Sequence, residues 1–288
     1  MSATTTSVAP ATAQASRKPS PIKPVLWWLL AVVMVLPSLL PLLWLASASF
    51  KTYIQTQAIP PVWFPGWNLA NYVEVLKGPR VDYFLNSAMI SATTVVLVIV
   101  LAIPAAYGLS RFKTSRTRDL QFWIVSMRMI PPLAMVVPVY VYFSLLDLTG
   151  TRLAIICMLT MANGAFAVWL CTTFFDEVPV EVEEAARLDG LGHYQVFLRV
   201  ALPLARTGVL TVLGFVFIFA WNELPFSLVL ANQESQPFPV YLTTFNGTTF
   251  IDYGLMAAAC MLYVAPVVAV TLLMQRQLVA GLSFGAVK

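Results

Sequence analysis

The chain has 288 residues, of which 59% are hydrophobic and 10% charged, and its mean hydropathy is +0.79. A soluble domain carries about 25% charged residues, so the composition excludes an ordinary soluble enzyme and indicates an integral membrane protein. The net charge of +4 arises from basic residues scattered among loops, which is not the footprint of a nucleic-acid binder.

Residues 1–24 are rich in Ser, Thr, Ala and Pro and carry Arg17, Lys18 and Lys23. They cannot bury a core and are expected to form a disordered tail. Six apolar runs follow, at about 25–45, 86–109, 120–146, 153–175, 208–231 and 253–275, each meeting the ~20 residues a bilayer requires. Ala46-Ser47-Ala48 has the small-residue form of a leader cleavage site, but the first run exceeds the roughly 7–15 apolar residues of a leader core and reads as a span. Trp63, Trp67, Tyr72 and Tyr83, between the first and second runs, suit a membrane–water boundary. Arg111, Lys113, Arg116 and Arg118 form a short basic loop after the second run. The third run contains Arg128 and the Pro131-Pro132 break, and the fifth contains Asn222 and Glu223. A polar loop, Asn232 to Asp252, joins the last two runs, and a short tail, 277–288, ends the chain. In the loop, Asn246-Gly247-Thr248 matches a glycosylation sequon and reads as a turn.

Cys157, Cys171 and Cys260 lie inside apolar runs, form no C-x-x-C and read as unpaired packing residues. His193 is alone, so no metal site is expected. No G-x-x-x-x-G-K-[ST] is present, so ATP hydrolysis, if used, belongs to another subunit. Six spans put both ends on one side of the membrane. With the N-terminus inside, twelve Lys and Arg lie inside and four outside, Arg128 remaining in a span. The positive-inside rule therefore puts both termini and the segment 176–206 in the cytoplasm.

That segment is the most polar stretch between two apolar ones. Glu181 to Leu188 are mostly good helix formers, Asp189-Gly190 ends the helix in a left-handed turn, a second short helix is expected from Gln195 to Leu202, and Pro203 breaks it. Glu184-Ala185-Ala186, three residues, Gly190, nine residues and Val200-Ala201-Leu202-Pro203 resemble the EAA loop of ABC importer permeases, departing from it only in Val200 for Ile. Arg128-Met129-Ile130-Pro131-Pro132, Trp221-Asn222-Glu223, Gly281-Leu282 and Gly285-Ala286-Val287-Lys288 are similar to the carbohydrate, MalG-like branch of that binding-protein-dependent family, of trehalose/maltose type.

The resemblance implies an all-α polytopic membrane protein of the type I ABC importer permease fold. It would comprise a six-helix permease domain, 25–276, with a cytoplasmic coupling helix, between two cytoplasmic tails. It implies a bacterial cell-membrane location and no catalytic residue. The partners would be a second MalG/MalF-type permease, two ATPase subunits that use ATP and Mg, an extracytoplasmic sugar-binding protein and the lipid bilayer. Glu183, Glu184, Ala185, Ala186, Asp189, Gly190 and Pro203 would couple to the ATPase, the acids by charge-assisted bonds to basic partner groups. The outer-loop residues Tyr241, Phe245, Asn246 and Gly247 would reach the binding protein's sugar cleft.

Arg128, Asn222 and Glu223 are candidates for the translocation path or for intramembrane polar contacts, since intramembrane charges face a cavity or a partner. Arg128 should lie about 13 Å and Glu223 about 24 Å from the inner face at the helical rise, which separates their roles. A polyol or glycerol phosphate would suit the same family. An ion-driven secondary transporter would need inverted repeats, of which none is visible, and a membrane enzyme would need clustered catalytic groups.

Overall fold

The computed structural model describes residues 22–247 and 251–284, and among them every regular element is helical. The expected tail through residue 21 and the terminal Gly285-Ala286-Val287-Lys288 lie outside the described residues. Helix α1, Ile22–Ser49, contains Pro37 and Pro41. Up to Trp44 the chain forms a unit of its own, with Trp27, Met34 and Leu43 exposed, as for a helix that is apolar all round.

From Leu45 onward the chain is a second unit. Two short helices, α2 (Tyr53–Thr56) and α3 (Ala70–Val75), precede α4 (Pro79–Arg111), α5 (Thr117–Met129), α6 (Pro132–Leu145) and α7 (Arg152–Asp176). Then come α8 (Val180–Leu188), α9 (His193–Val196), a π turn (Phe197–Ala201), α10 (Leu202–Trp221), α11 (Pro225–Leu230), α12 (Phe238–Thr243), a 3-10 turn (Thr244–Gly247) and α13 (Tyr253–Phe284). Gly78, at φ 58, turns the chain into α4. The Thr151 hydroxyl accepts from Ala154 N–H at the start of α7, and Asp252 accepts from the N–H groups of Gly254 and Leu255 at the start of α13. These bonds satisfy donors that a helix start leaves open.

Helices α4, α7 and α10 form the core, and α13 packs on α10. Small residues let the backbones approach, as membrane helices require in the absence of a hydrophobic drive between them. Ala102, Ala106, Ala167 and Val212 are buried where the three helices meet. A Cβ at Gly208 would overlap the Phe174 ring of α7, and one at Gly214 would overlap Met274 of α13. These two glycines let α10 sit between its neighbours.

Two expected spans are corrected. The run 120–146 is not one straight helix, because α5 and α6 meet at a 98° bend. A proline pushes the residue before it into extended backbone, and here Ile130 (ψ 123) and Pro131 (ψ 128) both precede one. The run 208–231 ends as a helix at Trp221 and resumes in α11. The sixth run, 253–275, matches the apolar stretch Tyr253–Gln275, and the helix itself continues to Phe284. Among the described residues five helices are long and apolar enough to cross a membrane, or six if the bent pair counts as one span.

Gly208→Leu is expected to drive a side chain into the Phe174 ring, costing about 1–3 kcal/mol as overpacking does. Thermal unfolding in detergent checks this, and an unchanged midpoint would contradict the α7–α10 packing.

Candidate functional site

The link from α7 to α10 is a closed elbow. Helix α8 ends at Leu188, and Gly190 follows at φ 92. Gly190 N–H donates to the Arg187 carbonyl at 3.0 Å and Leu191 N–H to the Ala186 carbonyl at 3.2 Å. That pair of bonds is a Schellman motif, which satisfies the last carbonyls of the helix and favours glycine at the left-handed position. Gly192 N–H then bonds Gln195 Oε1, and α9 runs through the π turn into α10. Pro203 is therefore corrected as a helix breaker. It follows the π turn, where Leu202 N–H bonds the Phe197 carbonyl and the widened turn makes room for a proline ring, and His193–Trp221 passes through it as one segment of 29 residues.

The elbow is fixed to α4 by a buried ion pair. Arg111 Nε donates to Glu183 Oε1 at 2.8 Å, and the Tyr107 hydroxyl donates to Glu183 Oε2 at 2.8 Å. Arg111 Nη2 also reaches the Val178 carbonyl at 2.9 Å. The side chains of Arg111 and Glu183 are 9% and 0% exposed, so water contributes little. Ser110 bonds Asp176 at 2.6 Å, and Lys113 lies 3.6 Å from the same carboxylate oxygen. Beneath the pair, the Tyr107 ring packs on Phe175 and Phe197, at 5.5 and 4.9 Å between centroids. The expectation that Glu183 bonds a partner is thereby corrected: both its oxygens are taken inside the chain.

The opposite face of α8 is open. Glu184, Ala185, Asp189 and Gly190 are exposed and Ala186 is half-buried. Leu188 is 89% exposed and Tyr194 is 73% exposed, so the face carries an apolar anchor among acids. Leu188 and Tyr194 were not singled out by the sequence reading, although Leu188 lies one helical turn after Glu184. Tyr107 and Arg111 had no local signal, since Glu183 is 72 residues from Arg111 in the chain.

The polar residues of the spans are dispersed. Arg128 ends α5, its guanidinium carbon 5.0 Å from the Phe166 ring centre and 4.8 Å from that of Phe219. Asn222 accepts from the Tyr263 hydroxyl at 2.8 Å, which ties the end of α10 to α13. Glu223 accepts from Phe226 N–H at 2.8 Å, capping α11. No ion pair joins Arg128 to Glu223 among the described residues. In the same residues no group of His, Cys, Asp and Glu could hold a metal ion.

The outer loop is folded down rather than extended. Asn86 donates to the Glu234 and Gln236 carbonyls, both at 2.9 Å, accepts from Arg152 at 2.7 Å, and is buried. Ser87 accepts from Phe238 N–H at 2.8 Å. Tyr241 and Phe245 are corrected as sugar-facing groups. They are buried with Val75, Phe238, Ala258 and Ala259, because aromatic burial outweighs leaving the rings in water. Gly247 ends the 3-10 turn, and residues 248–250, including Thr248 of the sequon, lie outside the described residues, as does the Asn246 side chain. Beside this loop Arg80 bonds Glu74, and that hydrogen bond, reinforced by the guanidinium charge, holds the Glu74 carboxyl below its ordinary value.

Apolar helices long enough to cross a bilayer, joined through a closed polar elbow, mark a multi-helix membrane protein. The chain belongs to the family described as binding-protein-dependent transport system inner membrane component, whose model matches residues 98–284. It is 35% identical over 264 residues to the probable ABC transporter permease protein y4oR of Sinorhizobium fredii, covering 91% of this chain and 95% of that one. It is 32% identical over 269 residues to the trehalose transport system permease protein SugB of Mycobacterium tuberculosis, covering 91% and 97%. A solved structure of a bacterial ABC transporter involved in the import of the acidic polysaccharide alginate contains a chain that matches with a TM-score of 0.75 and 23% identity, over 92% of this chain and 99% of that one. That likeness gives the type I ABC importer permease fold.

Arg111→Ala or Glu183→Ala strands one buried charge, and each is expected to cost on the order of 3–5 kcal/mol. Tyr107→Phe removes one bond to a charged group and should cost less, about 1.5–3 kcal/mol. Thermal unfolding with limited proteolysis at the elbow checks the order, and equal midpoints for all three variants and the parent would refute the latch.

Proposed function

We propose that this chain is the permease subunit of an ATP-driven sugar importer. With a second permease it forms the path for a di- or oligosaccharide, of trehalose or maltose type, delivered by an extracytoplasmic binding protein. Two separate ATPase subunits use ATP and Mg, and the elbow carries their movement to the spans. The observation that carries the reading is the elbow itself, closed at Gly190, anchored to α4 by Glu183 and presenting Glu184, Leu188 and Asp189 outward. An open apolar side chain rimmed by charge is what a docking helix needs: the apolar anchor supplies affinity and the acids supply register. Family membership favours an ATP-coupled importer over an ion-driven carrier, and the trehalose permease among the relatives supports a disaccharide.

Three substitutions test the coupling face in cells and by co-purification of the ATPase. Glu184→Lys sets a cation where a basic partner group is expected, and Leu188→Asp removes the anchor. Gly190→Val meets no neighbour but sits at φ 92, which β-branched residues adopt only with strain. All three should reach the membrane at near-normal levels, lose ATPase association and take up sugar at least about tenfold more slowly, as the loss of ~1.4 kcal/mol of contact implies. Normal uptake in all three would remove the elbow from the mechanism.

The same reading puts the elbow and both termini in the cytoplasm, in line with the basic-residue asymmetry. In a chain freed of Cys157, Cys171 and Cys260, cysteines at Ser115 and Gln233, both exposed, should differ. An impermeant thiol reagent added to intact cells should label position 233 only, and labelling at 115 would invert the topology.

A further inference from the structure

Arg128 has no place in the elbow and no ion pair among the described residues. Its guanidinium rests on one side of an aromatic pair, 5.0 Å from the centre of Phe166 on α7 and 4.8 Å from that of Phe219 on α10, whose rings meet edge to face at 5.3 Å. Guanidinium faces are satisfied by aromatic π clouds, but the N–H donors lie in the plane, along the edge. No hydrogen bond among the described residues uses those donors, although Arg128 is exposed. An unpaired cation against hydrocarbon is expensive, and intramembrane charges face a cavity or a partner.

The backbone beside it points the same way. Arg128 lies two residues before Ile130-Pro131, where the chain bends by 98°. Irregular backbone at membrane depth is tolerated where it lines a water-filled cavity or is buried in protein. Phe219 and Asn222, three residues apart on α10, share one helical face, and Asn222 is exposed, its oxygen held by Tyr263 and its amide nitrogen bonded to the Ile218 carbonyl at 2.8 Å. The guanidinium donors are therefore the groups left unused among the described residues beside the bend of the third span.

We propose that Arg128, backed by Phe166 and Phe219, is a recognition site for hydroxyl oxygens of the transported saccharide. The ligand class is a polyhydroxylated ring with neighbouring hydroxyls, because two adjacent acceptors match the paired donors of a planar fork. The two rings limit the space open to the guanidinium on one side before the solute arrives, which lowers the ordering cost of each bond. Asn222, one turn after Phe219 on α10, has one amide N–H left to give. The proposal rests on the sugar-importer reading.

The test uses the complete importer in liposomes, with binding protein saturated by whichever of trehalose and maltose the parent takes up. Arg128→Gln should assemble with the ATPase, continue to hydrolyse ATP and lose about tenfold in uptake, the fold-change expected for one bond to a charged donor. Arg128→Lys keeps the charge without the fork and should not restore uptake. A photoreactive form of that same sugar, trehalose or maltose, should label the segment around Arg128 in the parent, compete with the unlabelled sugar and fail to label Arg128→Gln. Parental uptake by Arg128→Gln, or labelling confined to other segments, overturns the site. Loss of uptake together with assembly reduces Arg128 to a brace between helices and also overturns it. A parent that takes up neither sugar refutes the trehalose- or maltose-type reading on which the site rests, which the other outcomes leave standing.

Discussion

The arrangement depends on one buried charge pair. Arg111 ends α4 and Glu183 sits in the middle of α8, and their contact is almost closed to water. Two ions leave water only at a large desolvation cost, offset here by mutual attraction and by bonds from Tyr107 and to Val178. Removing either partner leaves that cost uncompensated, so the pair acts less as a source of stability than as a constraint on geometry. It makes α8 a continuation of α4 in mechanical terms, although 68 residues separate the end of one from the start of the other.

That constraint gives the elbow its use. Its inner face is spent on Glu183, Val178 and Phe197, so the outer face can remain open without the helix unfolding. The Schellman bonds at Gly190 and the π turn before α10 keep the second half of the elbow in register with the long helix behind it. Force applied to Leu188 or Glu184 then has two rigid outlets, α4 through Arg111 and α10 through the π turn. Those helices pack on α7, and Gly208 and Gly214 let α10 lie close to its neighbours.

Much of this was legible in the sequence. Apolar runs mark membrane helices because the bilayer leaves few alternatives, and the spacing from Glu184 through Gly190 to Pro203 locates the elbow. Hydropathy is blind to direction, however, so the third run shows its Pro131-Pro132 break but not that the chain turns there by 98°. Glu183 and Glu184 differ by one position and about 100° of helix, and nothing local tells which one is buried when its partner is Arg111. Pro203 reads as a breaker until the widened π turn before it is seen to accommodate its ring. Tyr241 and Phe245 sit in a polar loop, and only the return of that loop over Asn86 and Ser87 gives them a core to join.

The central claim is that α8 moves with α4 and does not swing against it. Spin labels at Arg187 on α8 and Val100 on α4, both exposed, report their separation in the complete reconstituted importer with and without trapped nucleotide. The account predicts one narrow distance distribution, the same in both states, and a broad one once Arg111 is replaced by Ala. A parental separation that shifts by several ångströms on nucleotide binding would contradict it, because the elbow would then be hinged on α4 and not fixed to it.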